Sequence, residues 1–255
     1  MTAPATTDGA RTLRALHHGR EPGDPLVLPG PWDAASARVF ADAGFPALAT
    51  PSAGIAASLG HRDGHTPPEE MFAAITRIIR AVDVPVSADV ESGYGLAPKE
   101  LVERLLETGA VGCNLEDSDH ATGGLIEPAR QADRLAAVRA EAGEDLVINA
   151  RVDTFVRGGP DLGPETAVAA AIERGRLYAE AGADCVYPIF APPELLPRLA
   201  AAIDVPLNAA AFDPEGPSPR ELGRLGAARI TFGPRLLRQT MAEVGNLVKR
   251  LDPAP

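Results

Sequence analysis

The sequence predicts a single (β/α)8 barrel, an α/β fold, and three features of its pattern point there. Strand-like and helix-like runs alternate along the 255 residues, which implies parallel strands and right-handed crossovers. A Gly-containing helix end recurs before every second strand. An Asp-Val-Pro strand entry occurs twice. The length suits one barrel, and no Pro/Ser/Gly-rich linker separates two cores. One domain is expected, with a short N-terminal extension over about 1–24.

Eight strands are expected at Leu26–Leu28, Ala47–Thr50, Val84–Asp89, Gly112–Glu116, Leu146–Arg151, Cys185–Ile189, Pro206–Ala210 and Arg229–Phe232. Helix-like runs lie between them, as at Pro68–Val82, Pro98–Thr108, Glu127–Ala142 and Glu165–Ala181, and an amphipathic run at Leu236–Leu251 follows the last strand. The helix-end echo is Ala43-Gly44-Phe45, Thr108-Gly109-Ala110, Ala181-Gly182-Ala183 and Leu225-Gly226-Ala227. It precedes strands two, four, six and eight, and its glycine supplies a left-handed cap. The second echo, Asp83-Val84-Pro85 against Asp204-Val205-Pro206, precedes strands three and seven. Proline there stiffens the first strand residue.

Hydrophobic residues make up 45% of the chain and aromatics 4%, so a sizeable core must be built from Ala, Val, Leu and Ile. The formal net charge of −11 speaks against non-specific binding to nucleic acid or to an anionic membrane. The acidic excess reads as solvated helix faces and does not make the substrate cationic. No apolar run approaches the roughly 20 residues that span a bilayer. Met1 to Ala10 is polar, without the apolar core of a signal peptide, so a cytoplasmic location is expected. Cys113 and Cys185 each sit in a strand-like run and read as buried thiols, not a bridge.

In such barrels the site forms at the C-terminal strand ends, and here those ends are polar. Strand three ends Ser87-Ala88-Asp89-Val90-Glu91-Ser92-Gly93-Tyr94-Gly95, strand four Asn114-Leu115-Glu116-Asp117-Ser118 and strand five Asn149-Ala150-Arg151-Val152-Asp153; strand seven carries Asn208. Alternation along a strand sets Asp89 with Glu91, Glu116 with Ser118, and Asn149 with Arg151 and Asp153. Carboxylates on adjacent strand ends repel unless neutralised. A hard divalent cation such as Mg²⁺ does this, with a few carboxylates and several waters; the alternative is a structural network of ion pairs. Arg151 offers a planar fork to a substrate carboxylate. After strand two, Thr50-Pro51-Ser52-Ala53-Gly54 leads into a connection running to Thr66. It exceeds the usual length of about 2–6 residues and reads as a lid, with Gly60 and Gly64 as hinges around Asp63.

These strand ends, together with Pro31-Trp32-Asp33-Ala34-Ala35-Ser36-Ala37 and Leu59-Gly60-His61-Arg62-Asp63-Gly64, resemble the isocitrate lyase/phosphoenolpyruvate mutase superfamily, from about Leu13 to about Leu251. The resemblance implies a Mg²⁺ (or Mn²⁺) enzyme with a (β/α)8 barrel, forming a homo-oligomer, dimer or tetramer, whose C-terminal helix packs on a neighbour or closes its own barrel. It implies bond cleavage or rearrangement beside a 2-oxo acid through an enolate. The metal-site acids fall on Asp89, Glu91 and Glu116, the substrate arginine on Arg151 and the mobile-loop aspartate on Asp63. Contacts to the substrate carboxylate fall near Ser52, Ala53 and Gly54. The chain departs from the pattern in three places. The Cys-containing motif of the isocitrate and methylisocitrate lyases is absent, and Ser118-Asp119-His120 follows Glu116-Asp117 instead. Ser118 stands where phosphonate-bond members carry lysine, and Ile189 where the mutases carry histidine.

The expected activity is that of a metal-dependent lyase on a small 2-oxo- or 2-hydroxy-carboxylate. Glu116 and Arg151 are expected at the reacting centre, with Asp63, or a Tyr94 or His120 relay, moving the proton. Tyr94 and Asn208 are expected to touch substrate, with pocket walls near Tyr187 and Phe190. The alternatives are P–C chemistry on phosphoenolpyruvate-like compounds and a keto-acid-binding barrel without turnover.

Overall fold

A computed structural model describes residues 6–158 and 163–251; the first five residues of the expected extension lie outside the described residues. In chain order the elements are α1 (Thr6–Leu16), β1 (Leu26–Val27), α2 (Ala34–Asp42), β2 (Leu48–Ala49), α3 (Ser52–Leu59), α4 (Pro68–Ile79), β3 (Val86–Asp89), α5 (Pro98–Thr108), β4 (Gly112–Glu116), α6 (Pro128–Ala142) and β5 (Val147–Val152). There follow α7 (Thr154–Arg157), α8 (Pro164–Glu180), β6 (Cys185–Pro188), α9 (Leu196–Ala202), β7 (Asn208–Ala210), α10 (Pro219–Arg224), β8 (Arg229–Thr231) and α11 (Arg235–Val248). All eight expected strands are present among the described residues, several of them shorter than expected.

Every strand pair is parallel. The ladder is not continuous around all eight strands, however. It divides into a five-stranded sheet, β2-β3-β4-β5-β6, and a three-stranded sheet, β1-β8-β7. At the β6/β7 seam the link is the single bridge Val186–Leu207. At the β1/β2 seam the Ala49 N–H donates to the Pro29 carbonyl at 3.2 Å. The arrangement is therefore a curled, barrel-like parallel α/β fold, and the short strands at the seams account for the breaks.

Alternation sorts the side chains. Val86, Ala88, Cys113, Leu115, Ile148, Ala150 and Val186 join the helices in the main apolar layer. Their neighbours point the other way and meet in the middle. Arg229 of β8 reaches Ser87 of β3 and Asn114 of β4, each at 3.5 Å. Asn149 of β5 donates to Asn114 at 2.6 Å, and Thr231 of β8 to Asn208 of β7 at 3.2 Å. The two Arg229 contacts cross from one sheet to the other, and the other two lie within a sheet, so the strands curl around a shared polar interior.

Both sequence echoes have a physical basis here. Gly44, Gly109, Gly182 and Gly226 all take positive φ (87°, 87°, 96° and 105°), the conformation that ends a helix cheaply only for glycine. In the second echo Pro85 and Pro206 stand just outside their strands, without an N–H to contribute. Their carbonyls accept from Leu48 N–H and Val186 N–H, each at 3.0 Å, so they join the ladder on the side that remains to them.

The extension contains a helix. α1 lies across the N-terminal strand ends: Arg14 donates to Asp184 at 2.7 Å and to the Leu146 carbonyl at 3.0 Å. His17 lies just beyond it, with Nε2 at 3.5 Å from Arg229. The end opposite the polar strand termini is thereby closed. Cys113 and Cys185 are buried and unbridged, as expected, and burial pushes each thiol up to about 12.

Candidate active site

The site is assembled on the five-stranded sheet. Asp89 ends β3, and its Oδ2 accepts from both the Ser52 N–H (3.2 Å) and the Ser52 hydroxyl (2.9 Å). Ser52 opens α3, so the carboxylate faces a helix N-terminus, which favours negative charge. Thr50 Oγ1 accepts from the Asp89 N–H at 3.1 Å. Glu91 follows in the left-handed region, φ 53°, and its buried Oε1 has no hydrogen-bond partner.

Glu116 ends β4. Its Oε1 lies 2.8 Å from His120 Nε2 and its Oε2 2.6 Å from Arg151 Nη1. Arg151 also grips Asp153 through two bonds, at 2.6 and 2.9 Å. The guanidinium thus makes two hydrogen bonds to Asp153 and an ion pair with Glu116, which does not use all five of its N–H donors. A buried bracket lies behind: Asp117 accepts from Arg174 at 2.9 Å, Tyr178 at 2.8 Å and the Asp153 N–H at 2.8 Å.

The electrostatics match this crowding. Burial raises Asp89, with Arg151 opposing. Burial, then repulsion from Asp89, Glu116 and Asp63, lifts Glu91 to about 7. Burial raises Glu116, with His120 and Arg151 opposing. Burial works against the charge of Arg151, but Glu116, Asp153 and Asp89 outweigh it and raise its pKa.

The strand ends open onto a cavity of about 400 Å³, within the range for a small-molecule site. Its polar lining includes Ser52, Asp63, Asp89, Asn114, Arg151 and Arg235, and Ala53 also lies on its wall. Tyr187, Ile189, Phe190, Phe212 and Leu237 line its apolar side. Asp63 is exposed in the loop after α3.

Three expected substrate contacts lie elsewhere. Tyr94 turns its ring edge onto Phe72, centroids 5.9 Å apart, and its buried hydroxyl has no partner. Asn208 lies in the interior under Thr231. Gly54 is a packing position, where a Cβ would meet Pro51 at 2.8 Å. None of the three lines the cavity. The lid is also shorter than expected, because residues 52–59 form α3. Gly60 and Gly64 do take positive φ, 85° and 74°. The motif at Trp32-Asp33 is a capping box, with Asp33 accepting from the Ser36 N–H at 2.7 Å. Asp153, Phe212 and Leu237 were given no role by the sequence. Asp153 could have been assigned one, since it stands two residues beyond Arg151 on the same strand face.

Among the described residues no group of three or more His, Cys, Asp and Glu side chains could hold an ion unaided. The donor set nevertheless fits a hard cation held partly through water. Three carboxylates converge, each destabilised in its charged form, and Glu91 carries an oxygen without a partner. Mg²⁺ binds in this way, through one or two carboxylates and retained waters, not in an all-protein cage.

Comparison with known proteins gives the family. Residues 13–251 match the family described as phosphoenolpyruvate phosphomutase. A Corynebacterium glutamicum protein named probable 2-methylisocitrate lyase 2 is 30% identical over 259 residues, covering 95% of this chain and 80% of its own length. A crystal structure of a Burkholderia cenocepacia J2315 protein is 40% identical, with TM-score 0.87 over 96% of this chain and 99% of that one. Oxaloacetate acetylhydrolase in complex with its product oxalate is 26% identical, with TM-score 0.82 over 98% of this chain and 90% of that one.

Proposed function

Because the chain belongs to the isocitrate lyase/phosphoenolpyruvate mutase superfamily, we propose that it is a divalent-metal-dependent lyase. Its substrate on this reading is a small 2-oxo- or 2-hydroxy-carboxylate, cleaved at a C–C bond. The observation that carries this reading is the convergence of Asp89, Glu91, Glu116 and Arg151 at one mouth of the strand assembly, with Asp89 and Arg151 on the cavity wall. The oxalate complex of a relative supports the same substrate class.

Asp89, Glu91 and Glu116 would hold Mg²⁺, or Mn²⁺ in its place. Once bound, the ion supplies Lewis-acid stabilisation of charge developing beside the scissile bond. The protein's own groups do the rest. The N–H donors of Arg151 not taken by Asp153 hold the substrate carboxylate. Ser52, at the start of α3, fixes Asp89. Asp63 approaches from the loop and moves the proton, with His120 beside Glu116 as the alternative carrier. Glu116→Gln and Asp89→Ala are expected to lower Mg²⁺-dependent turnover of 2-oxo acids by at least about a hundredfold; full activity in a chelator refutes the reading.

One observation favours P–C chemistry as a second reading. Arg157 Nε donates to Ser118 at 3.2 Å, which returns a cation to the position where phosphonate-bond members carry lysine. Phosphorus NMR of phosphonopyruvate incubated with the protein separates the two. We further propose a cytoplasmic homo-oligomer built as one barrel domain. Among the described residues no helix is long and apolar enough to cross a membrane. Met241, Val244, Leu247, Val248 and Leu251 are exposed on or just after α11, and a neighbouring copy would cover them.

A further inference from the structure

Beside the candidate active site lies a second cavity, of about 240 Å³. Its walls come from both sides of the β6/β7 seam: Pro188, Ala191 and Leu196 on one side, Ala209, Ala211 and Leu222 on the other. Asp213 is its one ionisable wall residue, and a carboxylate oxygen there already accepts from the Glu215 N–H at 2.9 Å. The cavity therefore offers shape and apolar surface, with little to recognise a charged group.

Phe190 and Phe212 line both this cavity and the active-site cavity. Their rings stand 4.7 Å apart at an angle of 41°, one from the turn after β6 and one from the turn after β7. Two features set Phe190 apart. It is 57% exposed although it is a large apolar side chain. Its φ of 58° lies in a region that costs a bulky L-residue energy, and such outliers persist where the surroundings hold them. The seam beneath is held by one bridge, Val186–Leu207, so the backbone on its two sides is only lightly tied.

We propose that Phe190 and Phe212 form a movable partition, and that the substrate carries an alkyl substituent which passes between the rings into the 240 Å³ cavity. The substrate class is then a 2-oxo or 2-hydroxy acid with an apolar branch, its carboxylate at Arg151 and its alkyl group across the seam. This rests on the reading of the main cavity as a 2-oxo-acid site. The alkyl group gains by leaving water for apolar walls, and each buried methylene is worth about fourfold in affinity.

The test is calorimetric titration of the full chain, with Mg²⁺ present, against oxalate, pyruvate, 2-oxobutanoate, 2-oxopentanoate and 2-oxohexanoate. Affinity is expected to rise about fourfold per added methylene. In Phe190→Ala the ratio of 2-oxohexanoate to pyruvate affinity is expected to rise further, because no ring blocks the passage. Phe190 is exposed, so its truncation leaves the core intact. Oxalate binding with a flat or falling chain-length series overturns the alkyl cavity alone. A rising series with an unchanged or smaller ratio in Phe190→Ala overturns the partition. If neither oxalate nor any 2-oxo acid binds, the proposed function fails and this inference fails with it.

Discussion

Asp117 shows how single residues sustain the site without touching the cavity. It is fully buried, and its charge is sustained by Arg174, Tyr178 and the Asp153 backbone. Asp117→Ala strands a buried guanidinium, and a loss of about 3–5 kcal/mol in urea unfolding is expected. Tyr178→Phe removes one hydrogen bond and should cost only about 1 kcal/mol. Equal losses in the two variants would show that the buried Asp117–Arg174 pair adds nothing beyond the single Tyr178 hydrogen bond. The charged residues at this scale were legible because carboxylates grouped at strand ends are rare without a purpose. Their pairing was not. Alternation shows that Arg151 and Asp153 share a face, but not that Asp153 takes two of the guanidinium's bonds. Tyr94 was harder to place, since it lies beyond the strand end with a left-handed backbone (φ 54°), where periodicity gives no side-chain direction.

At the scale of elements, the recurring glycine caps were the most dependable signal, because a left-handed helix end leaves glycine a large advantage. The four positions are not equivalent. A Cβ at Gly44 would meet nothing within 4 Å, whereas at Gly226 it would lie 2.7 Å from Ala200 Cβ. Gly44→Ala is expected to cost about 1–2 kcal/mol from backbone strain alone. Gly226→Ala should add about 1–3 kcal/mol of overpacking, seen as a lower urea midpoint than in Gly44→Ala. Short elements were harder to see. α1 was taken for an extension, although Ala10, Leu13 and His17 fall at helical spacing and are all buried. α3 was hidden in a supposed lid, because Ala-Gly-Ile-Ala-Ala-Ser carries neither a charge pattern nor a side-chain cap.

For the molecule as a whole, the polar interior couples the two sheets, and one of its members senses pH. His17 is buried, and burial, then Arg229, depress its pKa from the ordinary 6.5 to about 4; the Leu13 carbonyl and, less, Asp184 oppose, and His18 adds to the depression. Between those values the unfolded chain binds more protons than the folded one. Stability from this group is complete above pH 6.5 and is lost as pH falls toward 4, by about 3 kcal/mol in all. His17→Gln is expected to flatten that part of the stability profile measured by denaturant titration; an unchanged slope refutes the assignment. The alternating pattern conveyed eight parallel strands and the end at which chemistry gathers. It could not convey how strands of two or three residues share their ladder, because that depends on register, which sequence periodicity leaves open.

The break at β6/β7 has a consequence for how such a protein can diversify. All the charges that would do the chemistry hang from the longer, continuous run of strands, where each backbone is braced by its neighbours. Much of the apolar wall hangs from the shorter run. Mutations that reshape Phe212, Ala211 or Leu222 therefore act across a thin joint and leave the spacing of Asp89, Glu116 and Arg151 undisturbed, so substrate preference can drift while the reaction type stays fixed.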